Sequence, residues 1–178
     1  MKSLFYILIA LTLFSCKKDV NELPEATQTG ANTFGALLNG AIWVPQGFGF
    51  AQTTPIVEAR FSANNSIFIN ARNFASSPKE TEFEIYIKDF TGPGLYQLNQ
   101  ITNKFPNHTA SYAYYEERKF TIDNEWKTNN QYTGRVNINF YDPTEKIVSG
   151  TFEFQAINLY GEPKPITVTE GRFDVKIQ

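Results

Sequence analysis

Few side chains in this 178-residue chain are equipped for covalent or metal chemistry. The only histidine is His108, in KFPNHTA (104–110). A serine hydrolase would need it as the base, yet no serine stands in the G-x-S-x-G turn that exposes a nucleophile; an exposed loop histidine is the simpler reading. A structural zinc site takes four His or Cys ligands, and the chain has one of each. Calcium loops alternate Asp or Asn oxygens around a glycine; DNEWKTNN (123–130) has the oxygens without that spacing. The acidic pairs Glu116 with Glu117 and Asp123 with Glu125 could flank a sugar as glycosidase carboxylates only if folding set them about 5 to 9 Å apart on its two sides. As charged turn residues they need no such arrangement. The expectation is no catalytic residue, no metal and no cofactor. One segment has binding character: SYAYYEERKFTIDNEWKTNNQY (111–132). On a strand, Tyr112 and Tyr114 share one face, with Ala113 and Tyr115 on the other. Together with Trp126 in a polar stretch and Tyr132, they could stack on sugar rings or anchor a protein. The plainer reading makes one tyrosine row core and the other ordinary strand surface.

The remaining reactive group is Cys16, the only cysteine, in LTLFSCKK (11–18). Lys2 and the apolar run LFYILIALTLF (4–14) precede it. Eleven helical residues rise about 16 Å, short of a bilayer core of about 30 Å, so the run reads as a signal peptide over residues 1–15. Its end, Leu13, Phe14, Ser15, Cys16, resembles the bacterial lipobox, although Phe14 is bulkier than usual there. That resemblance implies cleavage before Cys16, a diacylglyceryl group on its thiol and acylation of the new amine, traceable as palmitate. Two or more chains hold a protein firmly to a membrane, at about 0.8 kcal/mol per buried methylene. With Cys16 acylated no disulfide can form, and the fold must rest on its core.

The formal charge is −2 and no basic patch stands out, which argues against nucleic acid as a partner. Residues 17–32, KKDVNELPEATQTGAN, are polar with Pro24 and Gly30, a composition suited to a flexible tether between Cys16 and a domain over 33–178. Aromatics make up 15% of the chain and favour strands. Short apolar runs between Gly, Pro, Asn and Asp predict a single antiparallel β-sandwich, with a closed lipocalin-like barrel as the alternative.

Two hairpins carry a predicted register. In TFGALLNGAIWVP (33–45), Asn39 and Gly40 form a two-residue turn pairing Leu38 with Ala41, Leu37 with Ile42, Ala36 with Trp43 and Gly35 with Val44. Both faces are apolar, and the loop QGFGF (46–50) could cover the second. In VEARFSANNSIFINAR (57–72), a three-residue loop at 63–65 pairs Phe61 with Ile67, Ala59 with Ile69 and Val57 with Ala71. It gathers Glu58, Arg60, Asn70 and Arg72 on the outer face, and a slip of one residue would exchange the faces. Trp43, Phe61, Ile69, Phe83, Ile85, Phe152, Phe154 and Phe173 are the predicted core, and Gly171 predicts a bulge.

The stretches GANTFGALLNGAIWVP, SGTFEFQAIN and ITVTEGRFDVKI, with LFSCKKD at the start, resemble a family of small lipoproteins of Bacteroidota with no assigned function. The resemblance implies one all-β domain anchored in the cell envelope, at the outer membrane, and offers no catalytic or ligand residues. In such lipoproteins an acidic run after the cysteine is associated with surface display. Lys17 and Lys18 dilute Asp19 and Glu22, which leans the expectation toward the periplasmic face. The expected function is non-enzymatic binding of a glycan or an envelope protein. The alternatives are a structural or assembly accessory without a soluble ligand and, further off, a hydrolase.

Overall fold

The computed structural model describes residues 22–47, 53–62, 65–76 and 78–178. Among them are eleven strands and no helix: β1 (Thr33–Leu38), β2 (Ala41–Trp43), β3 (Val57–Ser62), β4 (Ser66–Asn73), β5 (Glu80–Ile87), β6 (Gly94–Leu98), β7 (Tyr112–Arg118), β8 (Ile122–Lys127), β9 (Gly134–Asp142), β10 (Ile147–Asn158) and β11 (Pro165–Lys176). They pair antiparallel in the order β2-β1-β11-β10-β8-β7-β5-β4-β3, with β9 on β10 and β6 on β9. β10 serves two neighbours: Ile147 to Phe154 face β9, whereas Ile157 and Asn158 face β8. The sheet folds over on itself as a β-sandwich. β3 is joined to the chain just past β11 by an isolated bridge of Ala59 with Ile177, and no strand ladder forms there, so the sheet does not close into a barrel.

Alternation along the strands sends one face of each layer into a common aromatic core. Phe83 lies at its centre, with ring centroids 4.6 Å from Trp43, 4.8 Å from Tyr115 and 5.8 Å from Phe34. Phe152, Phe154 and Phe173 continue the core under β10 and β11. The Trp43 indole donates to Thr81 Oγ1 at 2.9 Å, so its polar edge is satisfied inside.

Both hairpins adopt the predicted pairing. Leu38 faces Ala41, Leu37 faces Ile42 and Ala36 faces Trp43, with Asn39 and Gly40 at positive φ; β2 ends there, so Gly35 and Val44 do not pair. Phe61 faces Ile67, Ala59 faces Ile69 and Val57 faces Ala71, and Asn65 takes the left-handed conformation. Phe61 departs from expectation: it is 45% exposed, tilted against Phe90 and edge-on to Tyr141 at the end of β3. Residues 48–52, which include most of the predicted covering loop, lie outside the described residues; Ile42 on that face is exposed. The bulge at Gly171 is present. Phe152 faces Gly171 and Phe154 faces Val168, with Glu170 at positive φ and the Phe152 ring pressed where a Gly171 side chain would be.

Residues 22–32, expected as tether, are held against the domain. Asp174 on β11 is buried and accepts from Thr27 Oγ1 (2.6 Å), Gly30 N (2.8 Å), Thr29 N (2.9 Å), Ala31 N (3.1 Å) and Ser149 Oγ (2.7 Å). Asn32 Oδ1 accepts from Lys176 N, and Pro24 packs over Gly35.

Candidate functional site

The outer face of β4, β5 and β7 is buried as well as the inner one. Its charges explain why. Cross-strand registers set Asn70 beside Glu84, Arg72 beside Glu82, Glu82 beside Glu116 and Glu116 beside Glu125. A continuous ladder of ion pairs results: Glu58 to Arg72 (2.8 Å), Arg72 to Glu82 (3.2 Å), Glu82 to Arg118 (3.2 Å), Arg118 to Glu116 (3.1 Å), then Glu116 and Glu125 to Lys104 (3.4 and 2.7 Å). Asn70 Nδ2 donates to both Glu82 and Glu84. Like charges on neighbouring strands would repel without these cations.

Lys104 belongs to the loop 99–111, which lies across this face. Its ammonium also sits 4.0 Å above the Tyr114 ring. Burial lowers the basicity of Lys104, but Glu125 and Glu116 outweigh it and raise its pKa. The Lys127 ammonium donates to the Thr102 carbonyl. Thr102 Oγ1 closes the loop by accepting from Thr109 N and Ala110 N. Tyr112 donates to Glu84 at 2.6 Å and accepts from Phe105 N at 3.1 Å. Burial, then the charge of Glu84, pushes both the Tyr112 and Tyr114 phenols up, so both stay protonated. Burial also pushes Glu116 up, against the pull of Lys104.

The sequence-predicted aromatics are therefore not gathered on an exposed platform. Tyr112 and Tyr114 are buried beneath the loop. Trp126 faces the opposite way, into the core beside Tyr115, with its indole donating to Lys164 O at 2.9 Å. It lies on β8 rather than in a loop, opposite Asn158 where β10 changes neighbours. Tyr132 is half-buried after β8. Cys16 lies outside the described residues. Of the acidic pairs, Glu116 joins the ladder, whereas Glu117 and Asp123 turn to Lys79 at 3.2 and 3.7 Å. Among the described residues no cluster of His, Cys, Asp and Glu could hold a metal.

Sequence reasoning does not find the concave site at the end of this face. A cleft of about 330 Å³ is lined by Ser62, Ser66, Tyr86, Lys88, Phe105, Pro106 and His108. Its walls are rings: His108 lies 4.2 Å from Tyr86 and stacks on Phe105 at 5.7 Å, and Phe68 supports all three from behind. Two atoms at the cleft are buried and lack a hydrogen-bond partner, Ser66 Oγ and His108 Nδ1. Ser66 is 1% exposed. Buried polar groups are ordinarily paired, and leaving one unpaired costs about 1–3 kcal/mol. Lys88 stands at the rim, only loosely engaged with Asp89 at 3.8 Å. Two larger troughs, of about 480 and 530 Å³, cross the outer face of β6, β9, β10 and β11. Their charged side chains are paired with each other, Arg135 with Glu153 and Arg172 with Glu170. The smaller cleft is thus the better candidate. The signal available in sequence is the aromatic spacing of Phe105 and His108 in a loop, which stays ambiguous until Tyr86 is known to point outward.

Neither the curated proteins nor the solved structures include a match to this chain. A family model does match over residues 52–175, a span that takes in the ladder, the covering loop and the whole cleft. With well over half its length matched, the chain belongs to the DUF6252 family, a domain of unknown function.

Proposed function

We propose that this protein is a lipid-anchored, non-enzymatic binding module of the bacterial cell envelope that recognises a saccharide ring in the cleft beside His108. The aromatic walls of the cleft, Tyr86, Phe105 and His108, carry the reading, and Ser66 Oγ and His108 Nδ1, buried beside them without a partner, leave hydrogen-bonding capacity there. A ring of hydroxyls brings both donors and acceptors, and its apolar face suits the walls formed by Tyr86, Phe105 and His108. The volume, about 330 Å³, lies at the lower end of small-ligand pockets. A protein partner would need about 800 Å² of surface on each side, which a cleft of this size does not offer by itself. Lys88 at the rim favours a sugar bearing a carboxylate. The anchor is Cys16, acylated after removal of residues 1–15, in an outer membrane of the Bacteroidota type and on its periplasmic side.

Calorimetric titration with neutral and uronic oligosaccharides tests the reading. Binding is expected for a uronate-containing ligand and is expected to weaken at least tenfold in Ser66→Ala and in His108→Ala, with their melting transitions retained. A full-length protein that binds none of these sugars sinks the saccharide reading and leaves an accessory role.

A further inference from the structure

One end of the domain exposes four large apolar side chains. At the tip of the β7–β8 hairpin Phe120 is 94% exposed, with exposed Ile122 behind it. Beside them the turn 159–164 exposes Leu159 and Tyr160. Hydrogen bonds tie the two together: Leu159 N to Glu125 O, Asn158 Nδ2 to Asn124 Oδ1, and Trp126 Nε1 to Lys164 O. The patch is held in place rather than scattered. Lys79, Lys119 and Lys164 flank it, and Glu117, Asp123 and Glu162 offset them, so it carries little net charge.

The N-terminal segment leads toward the same end. Read backwards from Asn32, it passes Lys176, then Asp174, and reaches Arg172 and Gly35 at Pro24, running toward the start of β11. The turn 159–164 lies just before that start. From Glu22 to Cys16 are six residue steps, about 20 Å when fully extended. The stretch of β11 from Gly171 back to Pro165 is itself about 20 Å long. β8 carries Ile122 four residues past Trp126, which stands opposite Asn158, adding about 13 Å more. Drawn out in that direction, residues 16–21 are long enough to bring an acylated Cys16 to the turn, and the hairpin tip extends past the turn.

We propose that Phe120, Ile122, Leu159 and Tyr160 form a second membrane contact, inserting at the lipid–water interface beside the acylated Cys16. Phe and Tyr at a polar–apolar boundary, with lysines beside them, suit that interface. With little net charge, insertion depends on apolar burial and persists in high salt. The proposal rests on the lipid anchor of the proposed function and is independent of its cleft.

The test uses the full, acylated chain in vesicles of phosphatidylethanolamine and phosphatidylglycerol. Because acylation occupies Cys16, Phe120→Cys and Asp89→Cys each offer one free thiol for an environment-sensitive dye. Both positions are exposed, and a melting transition within a few degrees of the unmodified protein shows that the fold survives the left-handed backbone at residue 89. The expected result is a blue-shifted dye at 120 that nitroxide lipids quench, in low and high salt, with the dye at 89 unquenched. Dye at 120 in a watery environment on vesicles that carry the protein overturns the membrane contact and spares the anchor. A blue shift at 120 without nitroxide quenching means another protein surface covers it, which also overturns the proposal. Quenching at both sites means that the domain lies flat on the bilayer, which overturns it as well. Protein that fails to float with vesicles overturns the anchor and the second contact together.

Discussion

Asp174 looks like an ordinary outward residue of an alternating strand, between Phe173 and Val175, yet it is buried and organises the start of the domain. Burial by itself would raise its pKa. The donors from Thr27, Ser149, Thr29 and Ala31 outweigh burial and hold the carboxyl well below the usual range. A depressed folded pKa contributes stability that is fully present above the unfolded value of about 4 and is lost as pH falls below it toward the folded pKa. Asp174→Ala should therefore lower unfolding free energy at pH 7 by about 2–4 kcal/mol, since it leaves several backbone donors unpaired. The gap between variant and parent should narrow as pH falls below about 4. Urea titrations at pH 7 and pH 3 check this, and hydrogen exchange at Gly30 should quicken in the variant. Equal stability at pH 7 would mean that Pro24 and Asn32 dock the segment without Asp174. Nothing in the sequence marks Asp174 for this task. The cue lies some 150 residues away, where Thr27, Thr29 and Gly30 cluster in TQTGAN, a run whose donors fit a tether as well as a dock.

Strand pairing is far more legible in the sequence than strand covering. The β3–β4 register follows from the sequence because a three-residue loop lets Phe61, Ala59 and Val57 share a face with Ile67, Ile69 and Ala71, whereas a slip of one residue would exchange the faces. Burial of Phe61 does not follow, because the pattern fixes a side chain's face and not how far the opposite layer extends over it. Phe83→Ala should cost about 3–5 kcal/mol, as its ring touches both layers. Phe61→Ala should cost under about 1.5 kcal/mol, in proportion to what it buries. Chemical unfolding of the two variants measures the difference; similar losses would put Phe61 in the core after all. Likewise, Asn70 and Arg72 read as outer-face residues, and alternation does place them with Glu82, Glu84 and Tyr86 on one face. Their cover is the loop 99–111, whose contacts through Lys104, Phe105 and His108 are non-local and leave no periodic trace. The cleft exists only where that loop stops short of the β3–β4 turn, so it is hidden from the sequence for the same reason. Trp126 reads as a loop residue because Asn124, Glu125 and Lys127 around it are polar. On the outward face Glu125 joins the ladder through Lys104 and Lys127 holds the covering loop at the Thr102 carbonyl, while the indole turns inward.

At the scale of the molecule the cleft and the apolar tip lie at opposite ends. β5 starts at Glu80 opposite Arg118, near the tip, and reaches Tyr86 opposite Tyr112 at the far side, where Lys88 follows. Ile67 stands opposite Ile87, so Ser66 and the β3–β4 turn are at that far side too. The turn 142–146, before the first residue of β10, is remote from the turn that follows its last, and Asp142 caps it by accepting from Thr144 N and Glu145 N. Anchoring at one end would therefore present the cleft away from the bilayer, where a polymer too large to approach the lipid surface could still enter it. The docked segment also changes the expected reach. A free tether over 17–32 would average about 20–25 Å, but with residues 22–32 held on β11 only 17–21 remain between Cys16 and the domain. The domain should ride on the bilayer instead of standing off it. On vesicles, amide exchange in 159–163 is expected to slow several-fold relative to detergent-solubilised protein, while exchange in 142–146 and saccharide affinity stay unchanged. Slowing at both turns, or loss of saccharide binding on vesicles, would show that the cleft end also meets the membrane and that the molecule has no such polarity.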